Sequence, residues 1–333
     1  MNKHSRVRAV PAPIAPVQPM PLGAAAFPRI AAGNLLRDQD LTLAELRQLL
    51  DLAQDVKRNP ARYREALAGK FLALLFEKPS LRTRLTFELA IQQLGGGSVT
   101  QTGSIGEREP VKDVARNLDG WVDGIVARTF EQATVDGLAE WAEAPVVNAL
   151  SDLCHPCQIL ADVMTLEEHF GRLRGLKIAF VGDGNNVAHS LMITATRLGV
   201  HFALANPQGY DPKAAVVAEA RRMAASGAKI KLSHDAEEAV SGADAVYTDV
   251  WASMGQEHEA FERIKHFEPY RVDMALMAKA SKDSIFMHCL PAKRGQETTD
   301  EVMESRHSVV FQQAENRLHA QKALLLMLLG NHE

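Results

Sequence analysis

Residues 177–288 alternate between short apolar runs and amphipathic stretches, and this restricts the fold more than any other feature of the chain. Lys177–Val181, His201–Ala205, Lys229–Leu232, Ala245–Thr248 and Ser284–His288 read as strands. Val187–Leu198, Lys213–Ser226 and Asp235–Ser241 read as the helices between them. Parallel neighbours need a long crossover, usually helical. Strand–helix alternation therefore predicts a parallel sheet with helices on both faces. The first half repeats the theme, with apolar runs at Phe71–Phe76, Ile125–Ala127 and Pro145–Ala149. Helices are expected over Leu43–Arg58, where Thr42 and Glu45 form a capping box, and over Leu85–Leu94, which ends at Gly95-Gly96-Gly97. The 333 residues, at roughly 150 per domain, suit two doubly wound α/β domains joined near Asp152–Gly171. The expected divisions are 30–152, 153–310, and a closing helix over 311–333 that packs back on the first domain. Its apolar stripe is Ala320, Ala323, Leu324, Met327 and Leu328.

Residues 1–29 stand apart. They hold six of the fifteen prolines and no acidic residue, which predicts a flexible extension without regular structure. Its prolines argue against the amphipathic helix of a transit peptide, and it has no secretory apolar region. Lys and Arg total 37 against 41 Asp and Glu, a net charge of −4. That balance draws the whole molecule neither to nucleic acid nor to an anionic membrane. No apolar run approaches the ~18 residues of a membrane span. Three cysteines are too few for a disulfide framework, which points to a reducing, cytoplasmic setting.

In open α/β sheets, ligands bind beyond the carboxyl ends of the strands. Those positions carry polar residues throughout: Glu77–Arg84, Arg128-Thr129, Ser151–Gln158, Gly182–Asn186, Asp249–Gly255 and Cys289-Leu290-Pro291. Ser80, Arg82, Thr83 and Arg84 stand where a helix should start. Free N–H groups and planar guanidinium forks there suit phosphate oxygens, although a solvated cap with salt-bridged arginines has the same composition. Gly182-x-Gly184 hints at a dinucleotide turn but lacks the third glycine. Cys154 and Cys157 have redox or zinc spacing, yet no second pair of ligands completes a zinc site. His155 and Gln158 lie one turn apart on a helix predicted over 156–169, so both can face one ligand. Cys289 fits either a site residue or a small buried hydrophobe.

Together these motifs resemble the aspartate/ornithine carbamoyltransferase family. Phe76–Arg84 is similar to its carbamoyl-phosphate motif and His155-Pro156-Cys157-Gln158 to its His-Pro-x-Gln. Gly182–Asn186, Asp249–Gly255 and His288–Pro291 resemble the ornithine branch, and Ala314–His319 matches as well. The likeness runs in order from about residue 31 to residue 330. It implies carbamoyl transfer from carbamoyl phosphate to L-ornithine, giving L-citrulline. It also implies a cleft between a carbamoyl-phosphate-binding half and an ornithine-binding half, a homotrimer with shared sites, and no metal or organic cofactor. On the same ground Ser80, Leu81, Arg82, Thr83 and Arg128 hold the phosphate, and His155 and Gln158 the carbamoyl group. Asn186, Asp249, Ser253 and Met254 hold ornithine, while Cys289, Leu290 and Arg317 complete the site. The catalytic set is then Arg128, His155, Asp249 and Cys289.

Two positions depart from the pattern. Leu81 replaces a frequent Thr and keeps only its backbone N–H. Ser104 stands where the family often has Gln or His in a loop, Thr100–Glu109, that reaches into a neighbouring subunit. Among rival amines are N-acetylornithine and putrescine; the Asp249 and Ser253-Met254-Gly255 turn favours free ornithine. A nicotinamide oxidoreductase is disfavoured because Asn206-Pro207 stands where an acidic residue should end strand 201–205. The intact set Arg82, His155, Asp249, Cys289 and Arg317 argues against a non-catalytic relative. If Cys154 and Cys157 hold no metal, dialysis against a chelator will leave citrulline formation unchanged; a loss restored by zinc would reinstate a metal site.

Overall fold

The computed structural model describes residues 26–252 and 259–332. The first sheet contains β1 (Phe71–Phe76), β2 (Gly97–Thr102), β3 (Gly124–Arg128) and β4 (Val146–Leu150) in the order β2-β1-β3-β4. Its helices are α1 (Leu43–Arg58), α2 (Leu81–Gln93), α3 (Val111–Asp119) and α4 (Gln132–Trp141). A long helix, α5 (Pro156–Phe170), leads into the second sheet. That sheet holds β5 (Lys177–Val181), β6 (His201–Ala205), β7 (Ile230–Ser233), β8 (Ala245–Thr248) and β9 (Ile285–His288), ordered β7-β6-β5-β8-β9. Between its strands run α6 (Asn186–Arg197), α7 (Ala214–Met223), α8 (Ala236–Val240), α9 (Ala260–Phe267) and α10 (Met274–Met277); α11 (Asp300–Met303) and α12 (Val310–Leu329) follow. Among the described residues every strand pairing is parallel, so the carboxyl ends of β1 to β9 lie on the ligand-binding edges of two doubly wound sheets.

Two differences from the sequence reading bear on the site. The second helix starts at Leu81, four residues earlier than its apolar pattern suggested, because Ser80 caps it. The whole Ser80–Arg84 motif therefore forms the first turn. Strand β2 had no expectation at all. Its sequence, Gly-Ser-Val-Thr-Gln-Thr, is polar because β2 is an edge strand with mostly half-exposed side chains. The glycines do end the helix, with Gly95 at φ +94°, and they also serve the approach of this strand: a Cβ on Gly96 would lie 2.5 Å from the Lys70 carbonyl.

One hydrophobic core runs through both halves. Leu72, Leu74 and Val126 of the first sheet and Ile178, Phe180 and Phe202 of the second belong to it, bridged by α5 and α12. Helix α12 packs on α1, α2 and α5, which are elements of the first half and the junction. The chain start is held in the same place. Phe27 donates its N–H to Asn331 O (2.9 Å), its ring meets Tyr63 at 6.3 Å, and Ile30 is fully buried. Among the described residues, packing thus includes Phe27, inside the stretch expected to be a flexible extension, because its aromatic ring covers the end of α12. Phe27→Ala is expected to lower stability by about 1–2 kcal/mol, less than a fully buried Phe, read as a fall in the urea midpoint at unchanged m-value.

Candidate active site

Cap geometry organises the first half of the site. Ser80 sits in extended conformation and its hydroxyl accepts the Thr83 N–H at 3.3 Å. The N–H groups of Leu81 and Arg82 are left at the positive end of the α2 dipole. The Leu81 side chain is 70% exposed, so its lost hydroxyl leaves the backbone donor intact. Arg82 is half-buried and makes no side-chain hydrogen bond among the described residues.

Two further arginines converge here from distant segments. Arg128 ends β3 with its guanidinium buried and its Nε unpartnered. Arg317, from α12, is 2% exposed; its Nη2 donates to Thr83 Oγ1 at 2.6 Å and its Nε has no partner. Burial, then the charges of Arg317 and Arg82, push the Arg128 pKa down to about 10, against the pull of Cys289 and Asp249. Burial likewise lowers the Arg82 and Arg317 values. Like charges this close and this dry favour an anion between them.

His155 is the cap residue of α5, followed by Pro156 at the position where a missing N–H costs nothing. Its ring is buried and Nδ1 has no partner. Burial and the neighbouring Arg317 and Arg128 hold its pKa well below the ordinary histidine value, so the imidazole is neutral. Gln158, one turn on, donates Nε2 to Asp162 Oδ1 (2.8 Å) and leaves Oε1 unpartnered. Asp162 also accepts from Gln313 Nε2 (2.7 Å) and Tyr247 Oη (3.0 Å). Burial raises its pKa to about 6 despite those bonds. Sequence reasoning missed Asp162; the available signal was a lone acid four residues after Gln158 on an apolar helix.

Glu77 lies inside the first motif, where its sequence suggested no role of its own. It accepts the Ile105 N–H and the Phe130 N–H, both at 2.8 Å, tying the loops after β2 and β3 to the end of β1. Ser104 lines a cavity of about 440 Å³ with Gln101, Ile105 and Arg108; none of the arginine-cluster residues borders it.

On the other side, Asp249 follows β8. Its Oδ1 accepts from Cys289 Sγ (3.0 Å) and Val250 N–H (2.8 Å), and its Oδ2 from Asn185 Nδ2 (2.9 Å). Burial and the Asp249 carboxylate push the Cys289 thiol well above its ordinary pKa, so it stays protonated and donates. Asn185, not Asn186, touches Asp249; it also caps α6. Asn186 Nδ2 donates to Ser151 O at 2.6 Å. Leu290 has φ +58° and donates its N–H to His288 Nδ1 at 2.8 Å. Ser253 and Met254 lie outside the described residues. Ligand atoms of Asp249, His288 and Cys289 fall within 4.8 Å of one another. Each already has a partner, His288 bonding Leu290 through Nδ1 and Glu297 through Nε2 (3.2 Å).

The weaker motifs resolve by packing. A Cβ on Gly184 would meet the Pro212 nitrogen at 2.3 Å, so this glycine admits the 211–212 backbone. Cys154 and Cys157 are both buried. Cys154 Sγ lies 3.5 Å from Leu36 O and Cys157 Sγ 3.4 Å from Asn148 O.

The chain matches the family model described as the carbamoyl-P binding domain of aspartate/ornithine carbamoyltransferase over residues 34–168. The Asp/Orn binding domain of the same family matches residues 174–328. The chain belongs to the aspartate/ornithine carbamoyltransferase family. Among its relatives in that family is an ornithine carbamoyltransferase of Carboxydothermus hydrogenoformans, 51% identical across 89% of this chain and 97% of the relative. The solved ornithine carbamoyltransferase of Pyrococcus furiosus superposes with a TM-score of 0.88 at 47% identity, covering 92% of this chain and 99% of that one. An acetylornithine transcarbamylase complexed with acetylcitrulline gives 0.81 at 34% identity, covering 90% and 99%.

Arg82→Ala tests the anion site directly. Its side chain bonds no described neighbour, so the melting temperature should hold. Calorimetric binding of carbamoyl phosphate should disappear, and an unchanged affinity would remove Arg82 from the phosphate site.

Proposed function

We propose that the chain is an ornithine carbamoyltransferase, moving the carbamoyl group of carbamoyl phosphate to the δ-amine of L-ornithine to give L-citrulline and phosphate. The observation that carries this reading is one buried place where Arg128 Nε, Arg317 Nε, His155 Nδ1 and Gln158 Oε1 all lack partners, beside the Asp249–Cys289 pair. Four unpartnered buried polar groups are costly unless a polar ligand satisfies them.

In this reading Ser80, Arg82, Thr83 and the first-turn N–H groups of α2 hold the phosphate, with Arg128 and Arg317 behind it. His155 and Arg128 face the carbonyl oxygen, and Gln158 Oε1 accepts from the carbamoyl NH₂. A neutral imidazole donates one N–H, which suits a carbonyl oxygen that gains negative charge without being protonated. The uncharged δ-amine attacks the carbonyl carbon, a C–N bond forms, and the nitrogen's proton passes to the departing phosphate, which leaves as hydrogen phosphate. The C–O bond to phosphate then breaks and phosphate leaves with the electron pair. Fixed donors at both developing charges lower the barrier electrostatically. Holding two substrates in attack geometry supplies up to ~7–11 kcal/mol more. Asn186, Asp249, Ser253 and Met254 form the ornithine side, with Cys289 and Leu290 at the boundary. The Asp249 carboxylate pairs with the α-ammonium group, which favours free ornithine over its N-acetyl form.

The enzyme works in the biosynthetic direction in the cytoplasm, as a homotrimer with shared sites. In support, a Pyrococcus furiosus relative at 48% identity is named as the anabolic ornithine carbamoyltransferase, and no described helix is long and apolar enough to cross a membrane. A panel of amines decides the substrate. Citrulline should form rapidly with ornithine, with at most weak transfer to N-acetylornithine, putrescine or aspartate. Transfer to another amine alone would sink the ornithine assignment.

A further inference from the structure

Asp38 is a buried carboxylate far in sequence from every strand end. It opens a short 3-10 turn, Asp38–Asp40, ahead of α1, and its side chain enters the junction between the two halves against α6. Its Oδ2 accepts from Ser190 Oγ at 2.5 Å and its Oδ1 from Thr194 Oγ1 at 3.2 Å. Arg197, farther along α6, donates to the backbone carbonyls of Asp38 (2.8 Å) and Leu41 rather than to the carboxylate. The turn is therefore clamped to α6 at three side chains.

Ser190 does a second thing. Its Oγ accepts the backbone N–H of His155 at 2.9 Å. A hydroxyl has one proton and two lone pairs. With the proton committed to Asp38, a lone pair is left facing His155, and an acceptor-only carboxylate removes the hydroxyl's freedom to turn round. The result is a directed chain, Ser190 to Asp38 and His155 to Ser190, wholly out of water. The same helix carries Asn186 one turn earlier, itself bonded to Ser151 O, so α6 touches the His155 segment on both sides.

We propose that Asp38 and Ser190 are positioning residues for carbamoyl transfer: through the backbone N–H of His155 they set the imidazole toward the carbonyl oxygen and lock it to the helix that carries Asn186. The proposal rests on the function given above. Neither residue touches substrate in this reading.

The charge of Asp38 has a cost that separates this role from plain structural support. Burial pushes its pKa up to about 6, against the bonds from Ser190 and Thr194. The groups around it are Arg197 from α6, the thiols of Cys154 and Cys157, and Glu45, which faces Arg197 from α1. A raised carboxylate pKa means that Asp38 favours the fold below about 4 and that this contribution is lost as pH rises through about 6. At pH 8 the wild type therefore holds an ionised carboxylate at the expense of stability.

The test uses the full chain with ornithine and carbamoyl phosphate, the wild type measured alongside. Wild-type citrulline formation upholds the functional reading, and its absence overturns that reading rather than the positioning of His155. Ser190→Ala should lower kcat about tenfold or more, the scale of one lost buried hydrogen bond. Its calorimetric Kd for carbamoyl phosphate should stay within about threefold. Ser190→Thr, which keeps the hydroxyl, should recover most of kcat. Asp38→Asn should melt higher than wild type at pH 8 but not at pH 4, and still turn over more slowly. A Ser190→Ala enzyme with wild-type kcat overturns the proposal, as does a folded Ser190→Thr enzyme as slow as Ser190→Ala. An Asp38→Asn enzyme with wild-type kcat removes Asp38 from it. If Ser190→Thr does not fold, the Ser190→Ala and Asp38→Asn rates decide.

Discussion

Three arginines held close together and largely out of water are the constraint around which the rest of the structure is arranged. Arg128 feels both Arg317 and Arg82, and burial lowers the pKa of all three. Such an arrangement opposes folding and persists only because each guanidinium is delivered by a rigid element: Arg82 by α2, Arg128 by the end of a central strand, Arg317 by α12. In the function proposed here, a bound phosphate compound would relieve the repulsion and so be favoured over a neutral molecule of the same shape. The repulsion also explains the neutral His155, since a fourth cation beside Arg317 and Arg128 would be disfavoured twice, by charge and by burial.

The two halves are coupled through a few polar contacts inside a shared apolar core. Helices α5 and α12 belong to that core and both carry candidate site residues, His155 and Gln158 at the start of one, Arg317 within the other. Asp162 and Gln313 join them by a 2.7 Å bond, and Tyr247 from β8 joins the same node. A shift of the second sheet would therefore be felt at Gln158. Asp249 shows the same economy in its three hydrogen bonds from Asn185, Val250 and Cys289, which hold its carboxylate in one orientation.

Much of this was legible in residue patterns, because the physics concerned is local. Short apolar runs and period-3.6 alternation located nearly every buried strand and long helix, and the polar strand ends marked Ser80, Arg128, His155, Asp249 and Cys289 as candidates. What escaped had no local signature. Strand β2 is polar because it lies at an edge. Glu77 looks like any surface acid until two loop N–H groups are found on its oxygens. Phe27 sits in a proline-rich stretch whose composition predicts no packing, yet its ring covers the end of a helix some three hundred residues later.

The sequence by itself determined the fold class, the family and the chemical kinds of residue available, since hydrophobic period and motif spacing are properties of a few consecutive residues. Only the tertiary structure decided which of those residues share one space. Thr83 meets Arg317, His155 meets Ser190 and through it Asp38, and Asn185 rather than Asn186 meets Asp249. These contacts span from 35 to 234 positions along the chain. The physical reason is that burial and charge coupling depend on distance in space, and a parallel fold brings distant strand ends together without leaving any mark between them in the sequence.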